Sequence, residues 1–344
     1  MKLLSKKADF TISKKGISSI ESLMIGGVRQ SILIQTEDLA NPILFMLHGG
    51  PSMPVPGVSS RGRDYALVTC TKQLVKHFTL VFWDQRGTGK SFSKHISKET
   101  MHLNQFINDA NDVIDYLLQR FNQPKLHLLA HSWGTVIGLS LAKQIPEKLY
   151  SYTAFSQITN WVENDKLCYQ WLLERAKETN NQKAIRELTE VGEPPYLESF
   201  KQWGLMRKWL LKYKSMVYEA GDKGSASYAK AAQIMIGSPD YSLKDVYHSL
   251  ISGFKLSYSD QMIDDLNTFD FFSEVPKLEI PVLFIHGGKE THVWGELVQK
   301  YFEQLDAPSK KIHWSKKSSH AFHLDDSKEN EQILIENLIP LTRQ

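Results

Sequence analysis

The chain of 344 residues has only two cysteines, Cys70 and Cys168. Two thiols this far apart supply neither a disulfide framework nor the paired spacing of a zinc site, so both are expected to be buried thiols. An excess of one charge is also missing, since 41 Lys and Arg face 38 Asp and Glu for a net +3. The basic residues are scattered rather than striped, which speaks against nucleic acid as a partner. No apolar run is long enough to span a bilayer, and the N-terminal MKLLSKKADFTISKKG lacks the apolar core of a signal peptide. The expectation is a cytoplasmic protein without a membrane partner. No metal or organic cofactor is called for.

What the chain does contain is a set of short apolar runs suited to strands buried on both faces: Ile43 to Leu47, Leu80 to Trp83, Leu126 to Leu129 and Val282 to Ile285. Leu103, Phe106, Ile107, Ala110, Val113, Ile114 and Leu117 mark a helix between the second and third. This β-α-β alternation predicts a mostly parallel sheet flanked by helices. Gly26-Gly27 joins two apolar runs into an expected N-terminal hairpin, Lys311 to Trp314 is a further strand, and a helix from about Glu329 to Leu338 closes the fold. From about residue 160 to 258 the pattern is helical and rich in Lys, Glu, Tyr and Trp. The chain is therefore divided into a core of residues 1–159 and 259–344 and an inserted helical cap of residues 160–258.

The stretch LLAHSWGTVIGLSLA carries the chemistry, because an apolar strand there meets an apolar-faced helix through a turn of small residues with Ser132 at its apex. A strand-to-helix turn exposes a hydroxyl and points helix N–H groups at the same spot, which is what a serine nucleophile and its oxyanion need. The elbow pattern G-x-S-x-G reads Ala130, His131, Ser132, Trp133, Gly134, with alanine at the first glycine. His48-Gly49-Gly50-Pro51 ends the first core strand, so the N–H groups of Gly50 and Trp133 are the expected oxyanion hole, with His48 bracing the loop. Asp84 and Arg86, in WDQRGTGKS, are expected to serve structure. That loop lacks the first glycine of a P-loop.

An acid and a histidine are required after the serine, in that order. Glu290 follows the strand at Val282 to Ile285, and His320 follows the last strand. These two are the expected acid and base, with His323, His292, Asp325 and Asp326 as neighbours able to compete. In this arrangement His320 takes the Ser132 proton and Glu290 holds the imidazole.

HGGP at 48–51, WDQRGTGKS at 83–91, HSWGT at 131–135 and PVLFIHGGKE at 281–290 together resemble the proline iminopeptidase branch of the α/β-hydrolase superfamily. The resemblance covers the core on both sides of the cap and implies the α/β-hydrolase fold, a serine mechanism and aminopeptidase activity on short peptides. The chain departs from the family at Ser52 and Met53, where HGGPG usually continues, and at Glu290, where aspartate is usual. In the family, cap glutamates hold the substrate's free α-amino group. No position here is matched to those glutamates; among the acidic cap residues Glu163, Glu174, Glu190, Glu193 and Glu198, Glu163 and Glu190 are the candidates, beside Trp161 and Trp203 as candidate pocket walls. Two other functions fit the same residues: hydrolysis of a carboxylic ester, amide or lactone without amine recognition, and a non-catalytic ligand receptor built on this scaffold.

Overall fold

The computed structural model describes residues 7–257 and 259–343. Eight strands form one sheet in the order β1-β2-β4-β3-β5-β6-β7-β8. The hairpin of β1 (Ile17–Ile25) and β2 (Val28–Thr36) turns at Gly26-Gly27, both at positive φ, the conformation such two-residue turns need. It pairs antiparallel with β4 (Thr79–Asp84). From β4 onward the strands run parallel through β3 (Ile43–Leu47), β5 (Leu126–His131), β6 (Leu149–Phe155), β7 (Val282–Gly287) and β8 (Lys310–Ser315).

The pleat of these strands explains why their sequences read as unbroken apolar runs. Ile43, Phe45 and Leu47 face one core, whereas Leu44 and Met46 face the other. Helices Leu103–Phe121 and Trp133–Gln144 cover the first face, and helix Leu324–Leu338 packs over the second. Between β6 and β7 the described residues form helices and connecting turns, from Trp161–Glu178 to Phe271–Glu274. The helical stretch thus runs beyond residue 258. Among the described residues, no helix is long and apolar enough to cross a membrane.

Two features differ from the sequence expectation. Strand β6 was not anticipated, because LYSYTAF interleaves polar residues with apolar ones. It lies mid-sheet all the same, since two of those groups find partners: His127 Nδ1 and Ser151 Oγ are 2.7 Å apart, and Tyr152 donates its hydroxyl to Gln157. Helix Leu324–Leu338 begins earlier than expected, its polar first turn capped by the His323 side chain, which accepts from the Asp325 N–H. The charged groups of WDQRG are structural, but not with each other. Arg86 forms a two-pronged pair with Asp109 at 2.7 and 2.8 Å, with both side chains fully buried. Asp84 accepts from the Val58 and Lys90 N–H groups and from the Tyr241 hydroxyl.

His127 offers a test of this packing. Burial pushes its pKa down to about 3, so the unfolded chain binds a proton near pH 6 that the folded protein refuses. Stability should therefore fall as pH drops from about 6.5 towards 3. Replacing His127 with Gln should flatten the slope of unfolding free energy in that window by up to about 1.4 kcal/mol per pH unit, read from urea titrations at several pH values.

Candidate active site

Every residue of the expected constellation lies at the carboxyl end of a parallel strand, the edge where open α/β sheets bind ligands. Ser132 follows β5 with φ 53 and ψ −123, a conformation that β-carbon-bearing residues seldom adopt. It is held there because its N–H donates to the Phe155 carbonyl at 3.0 Å while its own carbonyl accepts from the Thr135 N–H and hydroxyl. The helix must approach closely for this turn to close. A Cβ at Gly134 would sit 2.4 Å from the Leu47 carbonyl oxygen, so only glycine fits. The alanine at 130 is accommodated from across the interface, where Gly138 leaves room for the Ala130 methyl.

Glu290 and His320 meet: His320 Nδ1 and Glu290 Oε1 are 2.5 Å apart. The same oxygen accepts from the Val293 N–H at 3.1 Å, and Oε2 accepts from the Ser156 hydroxyl at 2.7 Å, with His286 Nε2 3.5 Å away. Burial pushes the Glu290 carboxyl up, but the charges of His320 and His286 and these hydrogen bonds outweigh it and hold the group below the usual range. A carboxylate so committed keeps the proton on His320 Nδ1 and leaves Nε2 for the cavity.

His320 lies between two other imidazoles, with ring centres 4.7 Å away at His131 and 4.8 Å away at His292. His131 Nε2 lies 3.2 Å from the His320 carbonyl oxygen, which requires the proton on that nitrogen. Burial pushes His131 down to about 3 and His292 well below its ordinary value. Burial thus disfavours the charged form of both flanking rings, so a positive charge formed on His320 is not set against a second cation.

Gly50 and Trp133 both line the cavity in front of Ser132. Trp133 opens its helix, where the first N–H groups have no intrahelical acceptor. Gln85 braces both sides of this corner: it donates to the His48 carbonyl at 3.0 Å and accepts from the Trp133 indole at 3.0 Å. Its own N–H donates to His48 Nε2 at 3.2 Å, and burial pushes His48 down to about 4, a bracing imidazole rather than a titrating one.

The cavity measures about 250 Å³ and is lined by Ser132, His320, Trp161 and Trp203 among others. The two candidate glutamates are elsewhere. Glu163 sits on the exposed side of its helix, paired with Lys166 at 2.8 Å, and Glu190 is exposed on helix Gln182–Val191. Neither lines the cavity, and no described lining residue carries a carboxylate. The competitors of the expected pair are also accounted for. His323 binds Asp222 at 2.6 Å, Asp325 pairs with Lys317, and Asp326 accepts from the Ser318 hydroxyl. His292 does line the cavity, with Nδ1 3.1 Å from the Ser215 hydroxyl.

The α/β-hydrolase fold family model matches residues 42–327. The chain belongs to this family. Over 314 residues this hydrolase is 32% identical to the probable aminopeptidase YbaC of Bacillus subtilis (strain 168), covering 91% of the chain and 94% of that relative. Among solved structures it resembles the proline iminopeptidase of Mycobacterium smegmatis, with TM-score 0.58, 16% identity and coverage of 94% of this chain and 99% of the other. It also resembles an epoxide hydrolase from Bacillus megaterium, with TM-score 0.57, 19% identity and coverage of 94% and 100%. Those two likenesses establish the fold alone.

Sequence reasoning did not find Ser156, His131 as a neighbour of His320, Gln85 as a brace, or Arg207 on the cavity wall. Ser156 was hidden because it directly follows the unanticipated strand β6. The geometry predicts that Glu290→Gln lowers kcat by about 10³-fold or more, as removing the orienting acid does elsewhere, whereas Asp325→Asn leaves it unchanged. Ser156→Ala, which removes one donor from the carboxylate, should cost about tenfold in kcat. Steady-state kinetics of the three variants checks both.

Proposed function

We propose that the protein is a serine hydrolase that releases the N-terminal residue of short peptides through an acyl-enzyme intermediate. The observation that carries the proposal is the shared cavity of Ser132 and His320, with His320 Nδ1 bound to a buried Glu290. The aminopeptidase name of the relative at 32% identity supports the peptide substrate.

In this mechanism Ser132 Oγ attacks the scissile carbonyl while His320 Nε2 takes its proton. Glu290 keeps the imidazole in the required tautomer and stabilises its positive form. The oxyanion accepts from the N–H groups of Gly50 and Trp133. Collapse of the tetrahedral intermediate breaks the C–N bond, and His320 returns the proton to the departing amine. Water then repeats the sequence to free the acyl group and restore Ser132. The helical segment of residues 160–258 acts as a cap whose Trp161 and Trp203 wall the substrate side.

A second reading, hydrolysis of an ester, amide or lactone without amine recognition, is favoured by the absence of a carboxylate among the described cavity residues. Ser132→Ala should reduce turnover by at least about 10⁴-fold while the thermal midpoint stays near that of the parent. Substrate class follows from a matched pair, prolyl-naphthylamide and its N-acetyl form. Preference for the free amine supports the aminopeptidase, and equal rates or faster cleavage of simple esters supports the second reading.

A further inference from the structure

Arg207 is the one Lys, Arg, Asp or Glu among the described residues that line the cavity. It projects from helix Phe200–Lys212, and its guanidinium lies 4.5 Å above the Trp203 ring and 5.2 Å from that of Trp161. Its Nη2 donates to Asp165 Oδ1 at 2.5 Å, and the Asp165 side chain is only 3% exposed. Burial pushes the Asp165 carboxyl up, and Arg207 opposes that shift. Asp165 therefore anchors the Arg207 head group through Nη2. Nε and Nη1 of Arg207 have no hydrogen-bond partner among the described residues, and the side chain retains 12% exposure.

A guanidinium bound to a buried carboxylate and set against two neighbouring indoles, whose ring centres are 6.3 Å apart, is restricted in the directions in which it can offer its remaining N–H donors. What it offers them to must be an acceptor. A substrate ammonium meets a like charge there, whereas a carboxylate is matched by directed, charge-assisted donors. Ile158, Leu211 and Phe254 supply apolar wall in the same cavity. The ligand suited to this space is small, apolar in its middle and anionic at one end.

We propose that Arg207 determines specificity by binding a carboxylate on the leaving-group side of the substrate. Given the proposed aminopeptidase activity, on which this identification of the substrate rests, the preferred substrates are dipeptides with a free C-terminal carboxylate and an apolar second residue. Arg207 acts in binding, and Asp165, Trp161 and Trp203 position it.

The test compares alanyl-phenylalanine with its C-terminal amide. The two share the scissile bond and the free amine, and only one carries the carboxylate. The wild-type protein should cleave the acid with a kcat/KM about tenfold or more above that of the amide, the difference residing in KM. Arg207→Gln strands a buried carboxylate, so the informative variant is R207Q combined with D165N, with its fold checked by circular dichroism. In that variant the acid-to-amide ratio should fall to about one through a rise in KM for the acid. Equal cleavage of acid and amide by the wild type, or a ratio unchanged in the folded double variant, overturns the role of Arg207 and leaves the aminopeptidase proposal standing.

If neither peptide is cleaved but aryl esters are, the aminopeptidase proposal fails. The role of Arg207 is then decided by 4-acetoxybenzoate against 4-acetoxybenzamide. A preference for the carboxylate that disappears in the double variant supports it, and equal rates overturn it.

Discussion

The close seating of helix Trp133–Gln144 on the sheet is the constraint on which the rest of the site depends. Gly134 lets the helix start against the Leu47 carbonyl, and Gly138 lets it pass over Tyr152 and Ala130. With the helix that close, the chain between β5 and the helix has room only for a sharp turn, and Ser132 takes a left-handed φ to make it. One backbone geometry thus brings forward the hydroxyl and the amide of Trp133 together. A bulkier residue at 134 would push the helix outward and separate them.

Around that turn, the sheet edge collects groups whose charges are costly to bury and which are therefore paired or neutral. Glu290 is sealed but receives four partners, and the imidazoles of His48, His131 and His292 are kept neutral by burial. His320 and Ser132 face the cavity among these neutral or paired groups. The cap loop reinforces this order: the Ser215 carbonyl accepts from the hydroxyls of Ser319 and Thr291, and the Met216 carbonyl from the Ala321 N–H. The loops that carry Glu290 and His320 are thereby joined through one segment, residues 215–216.

Much of this was legible in the chain itself, and the reason is physical. Strands buried on both faces must be apolar throughout, so β3, β4, β5 and β7 announced themselves, and their ends located Gly50, Ser132 and Glu290. The elbow was visible because small residues are compulsory where helix and strand touch. Strand β6 was invisible because its buried Ser151, Thr153 and Tyr152 break the apolar run, and the groups that accept Ser151 and Tyr152 into the core, His127 and the Thr135 carbonyl, lie in other elements. Ser156 was lost with it. The cap was the least readable part: a glutamate on a helix gives no sign of which face it occupies, and Glu163 and Glu190 turned to solvent while Arg207 turned to the cavity. Trp161 and Trp203, picked out for their apolar area, do line it.

Covalent catalysis by Ser132 is the central claim, and the acyl-enzyme itself is its most direct test. The protein is mixed with an excess of a chromogenic acetate ester, quenched in acid within the first turnovers, digested and analysed by mass spectrometry. One acetyl group on the peptide containing Ser132, formed at a rate equal to or faster than turnover, is the predicted result. Acetyl found on another residue, or steady turnover with no covalent species and no burst, would contradict it.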